Sequence, residues 1–85
     1  MAKIIVEVIG MADRVKGQNK ETGKAFDFRH VAFAFKNQYG NNAVSINMVP
    51  GEDLDRLDLQ IGSTFRAVVN QVKNTYYIDL LDQVF

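Results

Sequence analysis

The chain has 85 residues, 47% of them hydrophobic, with ten Lys and Arg against ten Asp and Glu, the make-up of an ordinary globular protein rather than a disordered one. It has no cysteine, which excludes disulfides and thiolate metal sites and gives secretion no support. One domain, residues 1–85, is expected, and because a chain this short buries only about 60% of its unfolded surface, so is a homodimer.

The first element is a strand. Ile4, Val6 and Val8 alternate with Lys3, Ile5, Glu7 and Ile9, a period of two. Glu7 interrupts the apolar run early, so the segment reads as neither a signal peptide nor a membrane span, and a cytoplasmic location is expected. Gly10 permits a bend or bulge. Met11 to Val15 continues this strand or begins a second.

Lys16 to Lys24 is polar, holds two glycines and four charged residues, and offers nothing to a core. It reads as a loop that projects into solvent, with Lys16–Thr22 the least ordered internal segment. The loop also opens a basic region. Arg14, Lys16, Lys20, Lys24, Arg29 and Lys36 face only Glu21 and Asp27, a local charge of +4 within a neutral chain. Residues 51–58 carry −3. The expected molecule is polarised, with a basic side that suits phosphate; a merely solvated face is the plainer alternative.

Ala25 to Phe35 is the next strand. Phe26 and Phe28 share one phase, whereas Val31, Phe33 and Phe35 share the other. A β-bulge at Arg29-His30 accounts for such a slip and turns Phe26 and Phe28 away from the surface that Phe33 and Phe35 bury. Residues 37–42 form a turn. Ala43 to Val49 is a strand with Val44, Ile46 and Met48 in one phase. Pro50-Gly51 ends it, and residues 52–57 form a helical turn whose Leu54 and Leu57 plug the core, with acids where the helix dipole favours them. Phe65–Val72 and Thr75–Leu81 make a hairpin about Lys73-Asn74. The expected core is Val6, Val8, Phe33, Phe35, Ile46, Met48, Phe65, Val69, Ile78 and Leu80. The expected fold is all-β: a small five-stranded antiparallel barrel of the OB type with a short helical link.

Enzyme signals are weak. His30 is the sole histidine, without a second ligand at metal spacing, and reads as structural or surface. The acids of 52–58 lack the calcium-loop pattern, and the glycines form no phosphate-binding loop. No catalytic residue, metal, cofactor or small-molecule substrate is expected. The stronger signal is Lys24-Ala25-Phe26-Asp27-Phe28-Arg29, two aromatics on one strand face between two cations. Single-stranded nucleic acid needs this mixture, because bases stack on rings at about 1–3 kcal/mol each and phosphates need Lys or Arg. Phe is also the ordinary choice for a core, so burial of both rings stays an alternative.

On these residues the chain resembles the helix-destabilising, single-stranded-DNA-binding proteins of filamentous phages. The step Gly23-Lys24-Ala25-Phe26 is similar to the family's Gly-Lys/Asn-Pro-aromatic entry into a strand, with Ala25 in place of Pro. Phe26 falls where the family has a base-stacking ring and Phe28 where it has another apolar contact. Phe33 and Tyr39 fall near two further family aromatics, and Ile78-Asp79-Leu80-Leu81 resembles the closing strand. Leu80 and Asp82 stand where a better-known member is basic, so no phosphate contact is expected there. The resemblance implies an OB-like barrel, a dimer that coats single strands during phage DNA replication, and no chemistry. It also implies that Tyr76, in the hairpin region near the family's dimer interface, reaches the partner's DNA channel. The expected DNA-binding residues are Arg14, Lys16, Lys20, Lys24, Phe26, Phe28, Arg29, Tyr39 and Tyr76. A β-barrel protein-interaction module and an RNA binder of cold-shock type are the alternatives; the same stacking physics serves RNA.

Overall fold

A computed structural model describes residues 2–37 and 39–84. Six strands and one short helix follow in order: β1 (Ala2–Met11), β2 (Val15–Gln18), β3 (Ala25–Lys36), β4 (Asn42–Pro50), α1 (Gly51–Arg56), β5 (Thr64–Val72) and β6 (Thr75–Val84). All pairings are antiparallel, so the fold is all-β. No helix among the described residues is long and apolar enough to cross a membrane.

β3 is the organising strand. One edge pairs with β2 over Ala25–Phe28 and then with β1 over Val31–Ala34. Its other edge pairs with β4 from Phe28↔Pro50 to Lys36↔Asn42. β1 pairs onward with β5, and β5 with β6. The expected count of five strands becomes six because β2 carries the line of β1 past Ala12–Arg14 along the same edge of β3. The Ala12 amide, which donates to the His30 carbonyl at 2.9 Å, spans that break. β2 comes from the stretch expected to be loop: Lys16-Gly17-Gln18 has no apolar alternation, and its strand form follows from pairing with β3 alone.

The core draws one face from β1, β3, β4, β5 and β6, while the short β2 stays exposed. Val6, Val8, Val31, Phe33, Phe65 and Ala67 are fully buried, joined by Phe35, Val49, Leu80, Leu57 and Leu59. Ile4, Leu54, Val69, Tyr76 and Ile78 pack against them. Leu57 reaches the core just after the helix, as expected, and Leu54 borders it. Gly10 lies where the β1–β3 register shifts, which matches the bend expected there.

Two expectations are corrected. Ile46 and Met48 were expected inside but are 69% and 59% exposed. Directly opposed residues share a face, and β4 is paired so that Ser45 opposes Phe33 and Asn47 opposes Val31. The polar phase therefore points inward and the apolar phase outward. The bulge at Arg29-His30 is also absent, since the β3–β4 register is unbroken across it. Phe26 and Phe28 face outward because β3 runs straight, with odd positions inside and even positions outside.

The inward Ser45 and Asn47 have a use. Ser45 Oγ donates to the Tyr76 carbonyl at 3.2 Å, and Asn47 Oδ1 accepts from the Ile78 amide at 3.3 Å. Asn47 Nδ2 also donates to Ser45 Oγ at 2.9 Å. The outer strands β4 and β6 thus approach along a seam of side-chain bonds, and among the described residues no backbone ladder closes the sheet between them.

Candidate nucleic-acid interface

The β2–β3 hairpin carries most of the expected site. Its turn is built from polar side chains. Asn19 Oδ1 accepts from the Glu21 and Thr22 amides at 2.9 and 3.3 Å. Gln18 Nε2 donates to the Gly23 carbonyl at 2.6 Å, and Gly23 takes a φ of 73° that a side chain would resist. These bonds replace the expected open loop with a hydrogen-bonded turn. Lys16, Lys20 and Lys24 are exposed on it, and none is in a salt bridge among the described residues.

Phe26, Phe28 and His30 form a row on the outward face of β3. The Phe26 and Phe28 rings lie 6.1 Å apart and tilted by 42°. Phe28 and His30 lie 5.4 Å apart and nearly perpendicular. Phe26 is 41% exposed and rests over Gly17, its cross-strand partner. Val15 is opposite Phe28 on the β2 side, with Pro50 on the other. Next in line, Met48 is opposite His30. Lys16 opposes Asp27 and so lies on the other face of the hairpin from Phe26.

The two arginines of the expected site, Arg14 and Arg29, are engaged. Arg14 forks onto Asp27, with both oxygens accepting at 2.7 Å, and also reaches Asp55 at 3.0 Å. The fork is the strong bidentate geometry. It holds the Asp27 carboxyl below the ordinary carboxylate range, chiefly through the Arg14 hydrogen bonds and further through the Arg14 and Lys16 charges, against partial burial that pushes it upward. Gly51 gives the fork room: a Cβ there would collide with the Asp27 carboxylate. The fork thus ties the base of the hairpin to α1 and joins the basic and acidic segments. Arg29 lies on the same face as Asp27, where its Nε donates to the Ala12 carbonyl.

The remaining two residues lie elsewhere. Tyr39 is 77% exposed in the turn after β3, at the end opposite the hairpin. Tyr76 is half-buried on β6 with its ring 5.1 Å from Phe35 and nearly perpendicular. The structure therefore puts Lys20 and Lys24 on the turn of the hairpin that carries Phe26 and Phe28, sets Arg14, Lys16 and Arg29 on the other face with Asp27, and leaves Tyr39 and Tyr76 away from the hairpin. It adds His30, whose signal was its even-numbered phase with the two Phe residues. Among the described residues, no three His, Asp or Glu side chains converge as a metal site would require.

The fold and this face define an all-β protein of one antiparallel sheet with an outward aromatic row beside a lysine-bearing hairpin. No protein-family model, curated protein or solved structure matches the chain.

Proposed function

We propose that the chain is a single-stranded-DNA-binding protein that coats strands without regard to sequence and catalyses nothing, working in the cytoplasm as a homodimer. The observation that carries this reading is the outward Phe26–Phe28–His30 row on the strand whose hairpin turn bears the exposed Lys20 and Lys24. Rings there accept unstacked bases while lysines take phosphates, and the mixture is indifferent to base identity. Coating removes single strands from the duplex equilibrium by mass action. The resemblance to the filamentous-phage proteins points the same way. So does the strand path. A long first line formed by β1 and β2, a helix between β4 and β5, and β4 meeting β6 across a seam suit a partly open barrel of the OB type. For the dimer, the β5–β6 hairpin offers exposed Val72 and Tyr77, and an exposed apolar hairpin invites pairing.

Titration with single-stranded and duplex oligonucleotides at two salt concentrations tests the reading. Single strands should bind tighter than duplex, and log K should fall linearly with log salt. Lys24→Ala should flatten that slope by about 0.7, the loss of one phosphate contact. Equal weak binding to both forms refutes the proposal. Sedimentation at high micromolar concentration tests the dimer, and a clean monomer refutes it.

A further inference from the structure

We propose that the bound single-stranded DNA lies lengthwise along the outward face of β3, from Lys24 past Phe26, Phe28 and His30 to Lys36. His30 is then a stacking platform and Lys36 the far phosphate anchor. This inference rests on the single-strand reading above and adds a path and two residues to it.

Even-numbered residues of β3 share the outward face, so the row runs Phe26, Phe28, His30, Ala32, Ala34, Lys36. No acid interrupts it, because Asp27 points to the other face with Arg14. Lys24 and Lys36 are both exposed at its two ends. Twelve residue steps separate them, about 40 Å of strand.

The middle of the row is a trough. Ala32 and Ala34 are a low floor, and Ile46 and Val44 stand opposite them on β4, 69% and 61% exposed. On the β1 side Glu7 opposes Ala34 and repels phosphate, so the sugar-phosphate chain runs on the β4 side. The aliphatic wall offers van der Waals contact to sugars and bases without selecting among them.

Spacing sets how the bases sit. The rings are 6.1 and 5.4 Å apart, wider than the rise of about 3.4 Å per nucleotide in a stacked strand. Neighbouring bases must part, and each ring takes its own base. A stacked strand would need about twelve nucleotides to span 40 Å, and an unstacked one fewer.

The test uses full-length protein with oligothymidylates of four and sixteen nucleotides. His30→Ala should weaken binding of the longer one about 5- to 150-fold, and His30→Phe, which keeps a ring, should restore it. Lys36→Ala should flatten the salt slope by about 0.7 for the sixteen-mer. It should leave the four-mer unchanged, since a strand of that length seated on all three rings ends well short of Lys36. If Phe26→Ala weakens binding but His30→Ala and Lys36→Ala match the wild type, the path is overturned while single-strand binding stands. If the wild type binds neither oligonucleotide, both readings fall. If Ile46→Ser abolishes a dimer and leaves sixteen-mer affinity intact, the trough belongs to a second copy and the path is likewise overturned.

Discussion

Gly17 lies directly beneath the Phe26 ring: a Cβ added at Gly17 would sit 2.5 Å from Phe26 Cζ. The ring can lie across β2 only because its cross-strand partner has no side chain. Gly17→Ala should therefore displace the ring rather than unfold the strand, since the clash is with the far end of a movable side chain. We expect stability to change by no more than about 1 kcal/mol and affinity for single strands to drop. Thermal melting beside an oligonucleotide titration measures both. Unchanged affinity would show that the ring's position over β2 does not matter for binding.

Phe26→Ala separates stacking from packing. A fully buried Phe costs roughly 3–5 kcal/mol to truncate. At 41% exposure, and outside the core cluster, Phe26 should cost well below that range. Binding should weaken by about 1–3 kcal/mol at every salt concentration, because stacking is not screened. A large fall in melting temperature with normal affinity in the folded fraction would assign the ring to packing.

The Arg14–Asp27 fork predicts a limb in acid stability. The folded-state value of Asp27 is the depressed one. Its stabilising contribution is therefore complete above the unfolded value of about 3.9 and is lost as pH falls through the folded value. Urea melts from pH 7 down to pH 2 should show wild type losing an increment that Asp27→Asn never has. Parallel acid limbs for the two proteins would mean the fork contributes nothing net.

The seam between β4 and β6 depends on Asn47. Asn47→Ala leaves the Ile78 amide without its acceptor, a loss of about 1–3 kcal/mol for a group withdrawn from water. Asn47→Asp retains an acceptor oxygen and should lose less. Amide exchange at Ile78 should accelerate in the Ala variant, and an unaltered rate would show that Asn47 does not hold the seam.

Strand identity was legible because alternation is a local property. The segments around Ile4–Ile9, Ala25–Phe35, Ala43–Val49, Phe65–Val72 and Thr75–Leu81 all lie in strands. Which face of a strand turns inward is not always local. Val44, Ile46 and Met48 look like a core stripe, yet pairing with β3 settles the face, and Ser45 and Asn47 find hydrogen-bond partners on β6 that no pattern in β4 announces. β2 was hidden for the same reason, since its partner supplies the order its own residues lack. The outward position of Phe26 and Phe28 was readable from their phase. The engagement of Arg14 with Asp55, forty-one positions away in the chain, was not.

The two-sided flanking of β3 has an entropic consequence. Val31–Ala34 are paired with β1 on one edge and β4 on the other, so their amides should be among the slowest to exchange in the molecule. Phe28 and His30 adjoin this stretch and pair with β4 as well, so their backbone should already be ordered before a ligand arrives. A ligand that settles on them forfeits its own disorder but little of the protein's, and the free-energy penalty of ordering the receptor is small. Calorimetry should therefore find an association entropy dominated by the ligand and by released ions.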